Sequence, residues 1–157
     1  MEEYQGQLSI FIDVLVATVL TAFIGLERET AHKPAGMRTN MIVGGATALI
    51  VSLTVPLVDF IDKYNPAEII TADPIRVLEA IVVGVSFIGA GTILKARAEE
   101  RVIGLTTAAT MLYCCGIGAC AALKQYVLAI GVTVLVIVIN YAVKLLARKV
   151  TNTEKDN

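Results

Sequence analysis

Two carboxylates stand inside apolar stretches of this 157-residue chain: Asp13, within Phe11-Ile12-Asp13-Val14-Leu15, and Glu79, within Val77-Leu78-Glu79-Ala80-Ile81. Ionisable groups in such surroundings are costly and mark sites that bind, relay charge or pair. Carboxylates that share an ion with retained waters suit a hard divalent cation such as Mg2+, which makes Asp13 a candidate metal ligand. The alternatives are that each acid reaches interfacial water, or that Glu79 pairs with Arg76. A denser polar group comes from three separate segments: Glu27-Arg28-Glu29, Arg38-Thr39-Asn40, and Arg101 followed by Gly104-Leu105-Thr106-Thr107. Free N–H groups at helix N-termini beside arginines favour anions. This group therefore reads in three ways. It is an ion-pair network from Glu27 or Glu29 to Arg38 or Arg101, an anion pocket, or a set of orientation charges whose long stems snorkel to water.

Other chemistry finds little support. No nucleophile elbow, HExxH pair, phosphate-binding loop or calcium loop is present, and the single histidine, His32, sits in a basic loop without a triad. The chain is not expected to be an enzyme. Cys114, Cys115 and Cys120 lie in one apolar stretch with no CxxC spacing, so they read as reduced, helix-packing side chains rather than zinc ligands. Cations are explained without nucleic acid, and no cofactor is expected beyond the candidate ion Mg2+.

The elements that must carry these residues follow from composition. Hydrophobic residues make up 56% and charged residues 17% of the chain, against about 45–50% and about 25% in soluble domains. The mean hydropathy is +0.73. Five apolar runs, at residues 8–26, 40–58, 77–94, 102–123 and 126–146, are each about 20 residues long, enough for a helix to cross the hydrocarbon core. They are apolar nearly all round, unlike the one-sided helices of a soluble bundle, and the first lacks the basic leader and cleavage site of a signal peptide. The expected fold is all-α: a polytopic membrane bundle of five transmembrane helices over residues 1–150, with a short tail at 151–157. Asp73-Pro74 reads as an N-cap with proline at the first helical position. Asn65-Pro66-Ala67-Glu68 has the same form and suggests a short surface helix, and Lys124-Gln125 is a tight hairpin connection. Ten cations (Arg28, Lys33, Arg38, Lys95, Arg97, Arg101, Lys144, Arg148, Lys149, Lys155) fall on one side, and only Lys63, Arg76 and Lys124 on the other. The positive-inside rule then places the N-terminus outside and the C-terminus in the cytoplasm.

Small residues at four-residue spacing allow close helix approach in lipid. Ala17, Thr21 and Gly25 form one such stripe; Ser86 with Ala90 and Gly118 with Ala122 form others. Gly89, Gly91 and Gly104 are read as helix-packing glycines, although Gly89-Ala90-Gly91 could instead loosen its helix. Asn140 reads as an interhelical hydrogen bond. The expected partners are the lipid bilayer and either a second copy or another membrane protein.

The polar segments resemble a known family. Gly25-Leu26-Glu27-Arg28-Glu29 with Lys33-Pro34-Ala35-Gly36-Met37-Arg38-Thr39-Asn40-Met41 is similar to the first loop of the MgtC/SapB family. Asp73-Pro74-Ile75-Arg76, Phe87-Ile88-Gly89-Ala90-Gly91 and Arg101 through Ala109 match further blocks in the same order. The resemblance implies a multi-pass protein of the bacterial inner (plasma) membrane, linked to growth at low magnesium and, in some pathogens, to survival inside host cells. The family has been labelled a magnesium transporter, and some members are held to act on other membrane proteins, the ATP synthase among them. The matching blocks single out Glu27, Arg28, Arg38, Asn40, Arg101, Thr106 and Thr107 as the functional cluster. Many members continue into a soluble ACT-like domain, whereas this chain stops soon after Lys149, so regulation assigned to that domain does not carry over. Two functions stand as expectations: a bundle that binds or conducts Mg2+ or another ion, and a non-transporting protein that regulates another membrane complex.

Overall fold

The computed structural model describes residues 2–64, 73–97 and 104–153, and these contain helices and no strand. The helices are α1 (Glu2–Thr30), α2 (Met37–Ser52), α3 (Thr54–Tyr64), α4 (Pro74–Arg97), α5 (Leu105–Ala122) and α6 (Tyr126–Thr153). The predicted short helix near Asn65-Pro66, the functional candidate Arg101 and the last residues of the tail lie outside the described residues.

Five rods result, because α2 and α3 are two parts of one. Pro56 has no N–H to give the carbonyl of Ser52, and its ring crowds that carbonyl, so the rod breaks at Leu53. The ladder resumes at once, with the amide of Leu57 donating to the carbonyl of Leu53 at 3.0 Å. Four spans are long and apolar enough to cross a membrane: Tyr4–Thr30, Met37–Tyr64, Pro74–Ile93 and Leu105–Ala122. The apolar stretch Tyr126–Ala142 of α6 is shorter. α1 starts well before residue 8, at Glu2. α4 runs unbroken through Gly89-Ala90-Gly91, where a loosened helix was one of the expectations.

Burial is inverted relative to a water-soluble bundle. Phe87 is 82% exposed and Val127 88%, while Thr21, Asn40, Thr47 and Thr107 are fully buried. An apolar exterior of this extent needs hydrocarbon around it, and the molecule is an all-α membrane protein. The buried threonines satisfy themselves inside their own helices: Thr21 Oγ1 donates to the carbonyl of Ala17 at 2.8 Å and Thr47 Oγ1 to that of Val43 at 2.8 Å. In lipid no water could do this for them.

Helices α1, α2 and α5 make the centre. The predicted stripe on α1 is buried here: a Cβ on Gly25 would come within 2.6 Å of the Met37 Cα, and one on Gly44 would run into the side chain of Thr21. Gly118 of α5 in turn lies against the backbone of Gly44 and Ala48. The contacts at Gly25 and Gly118 bring backbone against backbone, which only small residues permit. α6 packs on α5 and α1. Two hydrogen bonds with the same sequence separation of 113, Tyr126 to Asp13 and Asn140 to Glu27, show α6 running parallel to α1 in constant register. α4 rests on α5 through Gly89 against Ala108 and barely touches α2, leaving a groove between α2 and α4. Ser86 and Ala90 of α4 remain exposed.

Candidate functional site

The polar segments converge where α1 ends and α2 and α5 begin, here called the Arg28 end. α1 stops in a tight turn: the amide of His32 donates to the carbonyl of Glu29 and that of Lys33 to the carbonyl of Arg28, both at 3.0 Å. His32 takes a left-handed φ of 55° there. α2 then starts at Gly36, which offers no side-chain cap. Glu29 supplies one from the preceding helix, its Oε2 accepting from the Met37 amide at 2.9 Å. An acid at a helix N-terminus meets both an orphan donor and the positive end of the dipole.

Asn40 is completely buried and fully used. Its Nδ2 donates to the carbonyls of Ala35 at 3.1 Å and Gly36 at 2.8 Å, and its Oδ1 accepts from Cys114 Sγ at 3.2 Å. The residue therefore ties the α1–α2 turn to the middle of α5. Replacing Asn40 by leucine is expected to leave the Ala35 carbonyl and the Cys114 thiol without partners, while the Gly36 carbonyl keeps the backbone amide of residue 40 at 3.3 Å. At about 1 kcal/mol or more per buried unmet group, its thermal midpoint in detergent should fall clearly below that of wild type.

Glu27 and Arg28 form the charged heart of this end. Glu27 Oε2 accepts from Asn140 Nδ2 at 3.0 Å and lies 3.9 Å from Arg28 Nη1. Arg28 is only 3% exposed, and its Nε and Nη2 are buried without a hydrogen-bond partner among the described residues. Thr107 is 1% exposed. It lies two turns before Cys114, as Arg28 lies one turn past Gly25, so the packing register puts both near the same depth. Thr106 is exposed, and its carbonyl accepts from Thr110 Oγ1 at 2.7 Å. α5 itself opens at Gly104 with φ 103° and no side-chain cap. That left-handed backbone is one that glycine adopts freely, which gives Gly104 a reason beyond packing. Arg38 is exposed and makes no ion pair among the described residues. Among the described residues Glu27 meets its own neighbour Arg28 and Glu29 meets backbone, and neither meets Arg38; the expected pairing with Arg101 lies outside the described residues. Gly89 packs on Ala108, while a Cβ on Gly91 would meet nothing.

A family model described as the MgtC family matches residues 14–149, most of the chain. The chain belongs to the MgtC family. An uncharacterized protein of Haemophilus influenzae is 34% identical over 131 residues, covering 83% of this chain and 54% of that protein. Protein MgtC of Salmonella typhimurium is 32% identical over 152 residues, 96% of this chain and 59% of that one. The Escherichia coli K12 protein named "Putative magnesium transporter YhiD" is 32% identical over 133 residues, 82% and 57% respectively. The chain spans somewhat more than half the length of these relatives. No solved structure matches.

Asp13 lies at the opposite end, fifteen residues and so roughly 22 Å along α1 from Arg28. It is 1% exposed and closely paired with Lys124 Nζ, while its other oxygen accepts from Tyr126 Oη at 2.6 Å. Lys124 also donates to Ser9 Oγ at 2.7 Å. No group of three or more His, Cys, Asp or Glu suited to a metal occurs among the described residues. The metal candidate thus has both oxygens engaged by its own chain. Desolvation pulls the Lys124 ammonium down, but its hydrogen bond and attraction to Asp13 outweigh this, and the net direction is upward. A raised lysine contributes stability that is complete below its ordinary range and lost as pH rises through its folded value. Melting of the purified protein should therefore show no loss traceable to Lys124 between neutral pH and about pH 10.

Sequence reasoning missed the Lys124 link. The signal was available: a lone acid near one end of the first span and a lone cation in the hairpin between the last two.

Proposed function

We propose that this chain is the membrane unit of a Mg2+-homeostasis protein of the bacterial inner membrane, and that it works by engaging another membrane protein at the Arg28 end. The magnesium link rests on family membership and on the relative whose name carries it. The charge count of the loops supports an extracellular N-terminus and a cytoplasmic Arg28 end. One observation carries the choice of mechanism. Arg28 is buried with two guanidinium nitrogens unmet among the described residues, and a buried charge is tolerated only when paired and hydrogen-bonded. A carboxylate brought by a partner, admitted as that end opens to it, would complete the fork in the bidentate geometry that arginine favours. Asp13, by contrast, has both oxygens occupied. No catalytic step is assigned to the chain.

Ion handling remains the second reading, favoured by Glu27, whose side chain is 20% exposed beside Arg28. Purified protein in liposomes containing a trapped Mg2+ indicator separates the two. The expected result is no influx above empty liposomes, together with cross-linking of a partner in native membranes that drops more than tenfold in Arg28→Ala. Influx that disappears in Glu27→Gln would reverse the choice.

A further inference from the structure

The groove between α2 and α4 holds about 590 Å3. Ile42, Ala46 and Ile50 of α2 form one wall, and Ala80, Gly84 and Ile88 of α4 the other. It is almost purely apolar until it reaches Arg76, which stands at the end of the bundle shared with Lys124. The antiparallel packing of α4 on α5 fixes that end, because Gly89 meets Ala108 while Gly104 meets the Thr92 backbone.

Its dimensions suit an acyl chain. From Val77 to Ile88 the wall rises roughly 16 Å, about half of a hydrocarbon core ~30 Å thick, hence one leaflet. At the mouth, Arg76 is 83% exposed and lies 3.6 Å from Asp73 Oδ2. So exposed a pair is weak and can exchange partners. Asp73 uses its Oδ1 to cap α4 through the Ile75 amide at 3.0 Å, which fixes the carboxylate at the helix start. A cation and an anion side by side above an apolar channel complement a headgroup that carries both charges.

We propose that this groove is a binding site for one zwitterionic phospholipid with a primary ammonium. Its phosphate sits on Arg76, its ammonium on Asp73 and one acyl chain between α2 and α4. A phosphatidylglycerol lacks the cation, and a phosphatidylcholine lacks the N–H donors, so phosphatidylethanolamine is the preferred occupant.

Native mass spectrometry of the full chain in detergent, titrated with each of the three lipids, tests this. The expected result is one tightly held phosphatidylethanolamine, retained at least fivefold better than the other two. Arg76→Gln should weaken all phospholipids. Asp73→Asn should abolish the preference for ethanolamine over choline. Gly84→Leu should block the site, because a Cβ there meets nothing within 4 Å and the added side chain fills the groove without disturbing the bundle, as an unchanged helical circular-dichroism spectrum would verify. Equal retention of the three lipids would overturn the proposal. So would retention unaffected by Gly84→Leu, or a folded wild-type dimer that holds no lipid and that Gly84→Leu splits, the sign of a second copy in the groove.

Discussion

Lys124→Ala is expected to destabilise this bundle more than Asp13→Asn does, although both remove the same ion pair. The asymmetry comes from exposure. Asp13 is only 1% exposed while the Lys124 side chain is about half exposed. Without Lys124, the carboxylate keeps only the Tyr126 hydroxyl and faces an apolar interior. Without the Asp13 charge, the ammonium can turn to water or to Ser9. Breaking a buried pair from the side that strands the buried charge costs about 3–5 kcal/mol. Because the partner is half-exposed, the expectation falls below that range, to about 2–3 kcal/mol. Each 1.4 kcal/mol is a factor of about ten, so the unfolding equilibrium should shift by well over an order of magnitude. Asp13→Asn should cost less than half as much, and Asp13→Asn combined with Lys124→Met should recover most of the loss. Thermal unfolding in detergent micelles, followed by size-exclusion recovery, checks the order. Equal midpoints for Lys124→Ala and wild type would show that the pair contributes nothing.

That pair also marks how far the sequence could be read. Whether a segment becomes a membrane helix is decided within about 20 residues, since the backbone bonds to itself and the side chains face lipid. The spans were legible for that reason, as was the hydrogen-bonding role of Asn140. What joins α1 to the α5–α6 corner is a contact between residues more than a hundred positions apart, and no local periodicity encodes it. The break at Leu53 was legible in Pro56 and was passed over, because the apolar run continues across it. At the Arg28 end the composition was readable and the pairing was not. Glu27, Arg28 and Asn40 were picked out, but Glu29 turned out to cap α2 and Cys114 to bond Asn40. Such choices depend on which faces of α1, α2 and α5 meet, and those faces are set by Gly25, Gly44 and Gly118 together.

Gly118→Leu is expected to prevent the chain from accumulating as a folded protein. From sequence alone a bulky residue at Gly118 would test loss of a partner. The structure assigns that glycine to the interior of a single chain. A Cβ at this position runs into the Gly44 carbonyl and lies 2.9 Å from the Thr47 Cβ and 3.1 Å from the Ala48 amide nitrogen. Two of those three obstacles are backbone, which cannot rotate aside, so α2 and α5 must separate and carry Asn40 away from Cys114. Overpacking by a methyl group or two typically costs about 1–3 kcal/mol, the range expected for Gly118→Ala; the leucine branch exceeds it. Gly116→Leu and Gly131→Leu provide the contrast, because a Cβ at either site meets nothing within 4 Å and both glycines face outward. Those two variants should express and melt like wild type, while Gly118→Leu is degraded in the membrane fraction. A variant that folds normally yet loses its cross-linked partner can therefore come from the exposed glycines, and finding that phenotype at Gly116 but not Gly131 would place the partner on α5 rather than α6. Normal accumulation of Gly118→Leu would instead mean that α2 and α5 are not packed as described.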